Sequence, residues 1–248
     1  MKKILFIFIL CTLTLNAVTL NIAVAANVSY AIQELKQKFI QKHHDIDVNI
    51  ILGSSGKLTA QISHGAPYGL FMSANMSYPQ GLYDKGLATT KPRVYAKGTL
   101  ALFSTKKQDF SLGIQLLKEA NIKRIAVANP KTAPYGQASF EAIKNAKIET
   151  AIHDKLIYGE SASQTLSFVL TAADIGFIAT SSLYSAKMSV YKKNVHWMEL
   201  DSSLYSPIEQ GVVLLSHAKG SDEYRLFYEF LFSPDAQKIF KKYGYIIS

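Results

Sequence analysis

Short apolar runs alternate with segments of helical period along the chain, and this alternation restricts the fold to the α/β class. Residues 18–25 read as a first strand. Ala31, Leu35 and Phe39 then fall four apart, so one helix face is apolar while Glu34, Lys36 and Lys38 lie elsewhere. Residues 47–52 read as a second strand, Lys57 to about Ser63 as a helix, and 69–73 as a third strand. Residues 93–104 read as one long strand and 122–128 as another, with a helix after Pro134-Tyr135-Gly136. A further helix is predicted over 162–171, strands over 175–179 and 208–216, and closing helices near 221–231 and 234–242. Ser233, Pro234 and Asp235 give the last helix a cap, a first-turn proline and an acid at its positive end. This order predicts mostly parallel sheets with helices on both faces, built as two α/β lobes with a cleft between them.

Four strand-to-helix junctions carry small polar residues: Asn27-Val28-Ser29, Ser54-Ser55-Gly56, Tyr135-Gly136 and Ser161-Ala162-Ser163. In an open α/β sheet such junctions line the ligand crevice. First-turn N–H groups lack intrahelical partners there and, with the helix dipole, favour an anion. Each junction taken alone is an ordinary helix cap; the set of four points to one anion site.

The chain begins Met1-Lys2-Lys3, and an apolar run follows from Ile4 to Leu15. This is the pattern of a secretory leader, 1–17, with cleavage expected near Ala17. Cys11, inside that leader, is the only cysteine. The mature chain then has no disulfide, no thiol chemistry and no cysteine-ligated metal. The six histidines are scattered without zinc-site spacing, so no bare-cation site and no cofactor are expected. The formal charge of +9 attracts anions of any size. No basic–aromatic stripe accompanies it, so a nucleic-acid partner is not expected.

At these junctions the sequence closely resembles the periplasmic molybdate-binding proteins of ABC importers. The resemblance is carried by Val24-Ala25-Ala26-Asn27-Val28-Ser29-Tyr30-Ala31, Gly53-Ser54-Ser55-Gly56-Lys57-Leu58, and Phe71-Met72-Ser73-Ala74. It continues through Ala128-Asn129-Pro130-Lys131-Thr132-Ala133-Pro134-Tyr135-Gly136 and Ser233-Pro234-Asp235-Ala236-Gln237. It implies a type II periplasmic binding protein with a hinge and an interlobe cleft. Lobe 1 would hold 18–97 and 206–248, and lobe 2 would hold 98–205. The ligand would be molybdate or tungstate, held by Asn27, Ser55, Tyr135 and Ala162, the last two through backbone N–H groups. Ser29, Ser54, Tyr158, Ser161 and Ser163 are candidate supports. Many relatives carry a binding tyrosine where this chain has Ala179, and Tyr158, Ser161, Ser163 or Gln164 are candidates to replace it. The expected partners are a membrane permease and its cytosolic ATPase, served by a monomeric receptor in the periplasm.

Such a pocket is chemically coherent. Molybdate carries two charges and only acceptor oxygens, so it wants donors and no carboxylate, and neutral donors suffice in a low-dielectric cleft. Sulfate, thiosulfate or phosphate receptors are the alternative. A remoter one is a serine hydrolase of the penicillin-recognising type, because Ser54 stands three residues before Lys57. Its middle Ser-Asp-Asn element is absent.

Overall fold

The computed structural model describes residues 17–247. Cys11 and all but the end of the predicted leader lie outside them. Among the described residues no helix is long and apolar enough to cross a membrane.

The chain opens with β1 (Val18–Ala25), α1 (Ala31–Ile40), β2 (Ile46–Gly53), α2 (Ser55–Ser63), β3 (Leu70–Met72) and α3 (Ser77–Asp84). It continues through β4 (Arg93–Gly98), β5 (Leu100–Phe103), β6 (Ile125–Ala128), α4 (Pro134–Asn145), α5 (Glu149–Ile152), β7 (Leu156–Gly159) and α6 (Ala162–Thr171). It ends with β8 (Ile175–Ala179), β9 (Trp197–Glu199), β10 (Ile208–Leu214), α7 (Asp222–Phe230) and α8 (Pro234–Lys242).

The strands form two five-stranded sheets, in the orders β2-β1-β3-β10-β4 and β7-β6-β8-β5-β9. Each is the centre of one lobe. Alternate residues of a strand face opposite layers. Leu20, Ile22 and Val24 of β1 pack with Leu35 and Phe39 of α1, Phe227 of α7 and Phe240 of α8. Ala23, between them in sequence, faces Leu58 and Ile62 of α2 instead. The second sheet repeats the plan, with Ile125 and Val127 packed toward α4 and Ala126 toward α6. Phe39, Phe71, Phe103, Phe227 and Phe240 are fully buried, each contributing about 1.5–3 kcal/mol.

Two expectations need correction. Residues 93–104 are not one strand: β4 ends at Gly98, β5 begins at Leu100, and the two belong to different sheets. Strand-forming residues lie on both sides of Lys97-Gly98-Thr99, so the stretch reads as one strand, although that polar and glycine step is where the sheet changes. Nor are the sheets uniformly parallel. β10 runs antiparallel to β3 and β4, and β5 runs antiparallel to β8 and β9. In each sheet the reversed strand is the one by which the chain arrives from the other lobe. The two crossings lie side by side, since Ile208 pairs with Gly98 and the Leu100 amide donates to the Tyr205 hydroxyl at 3.1 Å.

Helix α2 starts at Ser55, two residues before the expected Lys57. Helices α3 and α5, strand β9 and several 3-10 turns are additional to the sequence reading. The C-terminal tail docks on the edge of β4: the Lys97 amide donates to the Ile246 carbonyl at 2.8 Å, and the Ile246 amide donates back at 2.9 Å. This places Tyr245, 3% exposed, inside the first lobe.

Candidate functional site

A small cavity lies between the lobes, at the carboxyl ends of β1, β2 and β6. Its wall comes from Asn27 beside β1, Ser54 and Ser55 at the start of α2, Ala133 to Tyr135 at the start of α4, and Ala162 at the start of α6. Ala25, Ala26, Gly53 and Ala74 complete it. The space open to the centre of a water-sized sphere is about 10 Å³. At about the size of one water-sized group, the closed cleft excludes an organic metabolite of several rigid groups. Asn27, Ser54, Ser55, Tyr135 and Ala162 are all buried.

The local sequence explains why helices begin here. Pro134 opens α4, where a missing N–H costs nothing. Ser161 caps α6 by accepting from the Gln164 amide at 3.3 Å. Ser54 precedes α2 in an extended conformation. Three helix N-termini and the 3-10 turn Ala26–Val28 therefore meet at one point. First-turn N–H groups are without intrahelical partners, and their dipoles add there. No acidic, basic or histidine side chain lines the cavity.

The Ser55 hydroxyl oxygen accepts from the Ala74 amide at 2.9 Å. A hydroxyl that accepts at its oxygen keeps its hydrogen to give. The Ser54 hydroxyl is buried without a hydrogen-bond partner among the described residues. Asn27 differs from the expectation of a side-chain donor. Its Nδ2 donates to Gln210 Oε1 at 2.8 Å and to the Tyr245 hydroxyl at 3.1 Å, so the side-chain amide hydrogens are both engaged within the protein. Its carbonyl accepts from Ser181 Oγ at 3.0 Å and from the Tyr245 hydroxyl at 2.9 Å. Burial pushes the Tyr245 phenol up to about 12. Burial likewise holds the Tyr135 phenol well above its ordinary range, with the neighbouring Tyr245, Tyr95 and Tyr205 adding to it.

The candidate supports divide. Ser54 lines the cavity; Ser29, Tyr158, Ser161 and Ser163 do not. Tyr158 is 49% exposed and borders a separate surface hollow with Phe140 and Lys131. The Ser161 hydroxyl is occupied as a cap, and the Ser29 amide closes the 3-10 turn onto the Ala26 carbonyl. Ser163 Oγ donates across the cleft to the Ala26 carbonyl at 2.9 Å, and Gln164 Oε1 accepts from the Glu160 amide at 2.6 Å. None of the four residues considered for the role of a tyrosine at Ala179 therefore faces the cavity. Lys57 is exposed, so no base stands beside Ser54.

Direct bonds also join the lobes around the cavity. The Gly56 amide donates to the Thr132 carbonyl at 2.9 Å, and Ser163 and Ser181 of the second lobe reach Ala26 and Asn27 of the first. Sequence reading missed Ser181, Gln210 and Tyr245. Gln210 left a signal: it is a long polar side chain inside the apolar strand β10, where it is 0% exposed.

The model of the bacterial extracellular solute-binding protein family matches residues 20–246. This chain belongs to that family. Among relatives of this solute-binding protein, the molybdate-binding protein ModA of Azotobacter vinelandii is 32% identical over 232 residues, covering 93% of this chain and 90% of the relative. ModA of Rhodobacter capsulatus is 33% identical over 226 residues, covering 90% and 86%. The solved periplasmic molybdate-binding protein of Azotobacter vinelandii superposes with a TM-score of 0.84 at 27% identity, over 92% of this chain and 99% of that one. The solute-binding protein thus has the type II periplasmic binding protein fold, two α/β lobes with a hinge and an interlobe cleft. Family members of this kind serve ABC importers, whose other parts are a membrane permease and an ATPase.

Proposed function

We propose that this protein is a periplasmic receptor for molybdate or tungstate, which it binds reversibly in the interlobe cavity and delivers to an ABC permease driven by a cytosolic ATPase. The observation that carries the reading is the wall of the cavity: small neutral residues from four chain segments, three of them at helix N-termini, with no carboxylate and no cation. The similarity to the ModA proteins supports the choice of oxyanion.

Asn27, Tyr135 and Ala162 give backbone N–H groups, and Ser55 gives its hydroxyl. A dianion with acceptor oxygens only is matched by this set. Phosphate keeps a proton near neutrality and meets no carboxylate to accept it, a mismatch of about 1–3 kcal/mol. Sulfate shares the charge pattern and is the smaller ion, so its rejection requires donors spaced for the larger one.

Lobe 1 is assigned 18–97 and 206–248, lobe 2 is assigned 98–205, and the crossings beside Gly98 and Ile208 act as the hinge. Ligand favours the arrangement in which both lobes contribute donors at once, so it shifts the population toward closure. The receptor acts as a monomer after removal of the leader, without a cofactor and without turnover.

Calorimetric titration of the mature chain with molybdate, tungstate, sulfate and phosphate tests this. Tight one-to-one binding of the first two, with little response to the others, is expected. A strong sulfate response would overturn the specificity. Ser55→Ala should weaken molybdate binding by about 1–3 kcal/mol through loss of a charge-assisted bond, and unchanged affinity would remove Ser55 from the site.

A further inference from the structure

Four helices of this chain follow a serine at the N-cap: α2 after Ser54, α6 after Ser161, α7 after Ser221 and α8 after Ser233. All four serines have extended backbone. Three use the hydroxyl in the ordinary way, accepting from the amide three residues on: Gln164, Tyr224 and Ala236, each at 3.3 Å. Ser54 does not. Its backbone, φ −68° and ψ 149°, is close to that of Ser233 at φ −71° and ψ 157°, so the chain conformation permits the cap. The hydroxyl nonetheless leaves the amide of Lys57 alone. It is 5% exposed, has no partner among the described residues, and belongs to the cavity wall.

A buried hydroxyl that forgoes an available cap and gains no protein partner is unfavourable twice over. Such an arrangement is kept where a ligand supplies the missing partner. The cavity also lacks a side-chain donor from Ala179, and Tyr158, Ser161, Ser163 and Gln164 are turned to other partners or to solvent.

We infer that Ser54 donates its hydroxyl to the bound oxyanion and fills the role that a tyrosine at Ala179 would have. The two serines of the Ser54-Ser55 pair then act together, Ser55 with its oxygen fixed by the Ala74 amide and Ser54 free to turn toward the ion. This inference rests on the proposed oxyanion reading of the cavity.

The test compares Ser54→Ala with Ser161→Ala. Molybdate affinity is measured by calorimetry, and the melting temperature is measured without ligand. Ser54→Ala should lower affinity roughly tenfold to a hundredfold while leaving the ligand-free melting temperature unchanged or raised. Ser161→Ala, which removes a working cap, should lower that temperature. If Ser54→Ala binds like the parent, whatever its melting temperature, the hydroxyl does not hold the ion and the inference is overturned. If the parent chain binds none of molybdate, tungstate, sulfate and phosphate, the functional reading falls first and takes the Ser54 assignment with it.

Discussion

The hydroxyl of Tyr135 lies against the backbone of Gly98: a β-carbon built on Gly98 would stand 2.1 Å from that oxygen and 3.0 Å from Gln210 Nε2. Tyr135 therefore lines the cavity and also reaches the first crossing with its hydroxyl. Gln210 lies on the strand that follows the second crossing. One residue bears on the cavity and on both connections between the lobes.

Substitution at this contact should be felt in both places. Gly98→Ala is expected to destabilise the protein by about 1–3 kcal/mol, the usual range for overpacking a filled interior. Tyr135→Phe removes a buried hydroxyl that has no partner, so it should be neutral or slightly stabilising. The double variant should recover part of the loss, because the oxygen that the new methyl meets is gone. Thermal unfolding of the three variants checks this, and an additive double variant would show that the two positions do not communicate.

Ligand affinity should vary little between about pH 6 and pH 9. No acidic, basic or histidine side chain lines the cavity, and the phenol of Tyr135 is held well above its ordinary range by burial. Titration of molybdate at several pH values in one buffer series checks this. A bell-shaped or stepped dependence over that interval would reveal an ionising group in the wall.

Tyr245 predicts where base unfolds the protein. Its phenol is neutral when protonated, and burial raises it to about 12 from the ordinary 10.0. The folded state therefore holds this proton more tightly than the unfolded chain does. The stabilisation is complete below pH 10 and is lost as pH rises toward 12, a difference on the order of 3 kcal/mol. Denaturant midpoints measured from pH 9 to pH 12 should fall across that window. Tyr245→Phe should flatten part of the fall, while lowering stability at neutral pH by about 1–2 kcal/mol through loss of the bond to the Asn27 carbonyl.

Much of this architecture was legible in the sequence, and the misses have physical causes. Strand and helix order followed from periodicity because the sheets are covered on both faces. The split at Gly98 left only Lys97-Gly98-Thr99 as its mark, a short step between two strand-forming runs that a single bulged strand would also tolerate. Junction residues were legible because anion donors and helix caps draw on the same small polar types. That shared chemistry also blurs them: Ser54 and Ser161 look alike in sequence, and only side-chain direction separates a ligand donor from a cap. The alanines of the wall, Ala25, Ala26, Ala74 and Ala133, act by backbone and by smallness, for which a single sequence gives no sign. The network behind Asn27 joins residues 27, 181, 210 and 245, and separations of that length are set by tertiary packing alone.

The strand that separates β3 from β4 is also the last strand of the chain. Before β10 arrives, the N-terminal lobe has β2, β1 and β3 with one side of β3 bare, while β4 has no neighbour in its sheet. The other lobe draws all five of its strands from Leu100 to Glu199, with Leu200, Tyr205 and Ile208 closing its core just after. The first lobe therefore cannot complete its sheet until the last strand has been made. Cutting the chain after Ile208 would dismantle the half farthest from the cut in sequence and spare the half beside it.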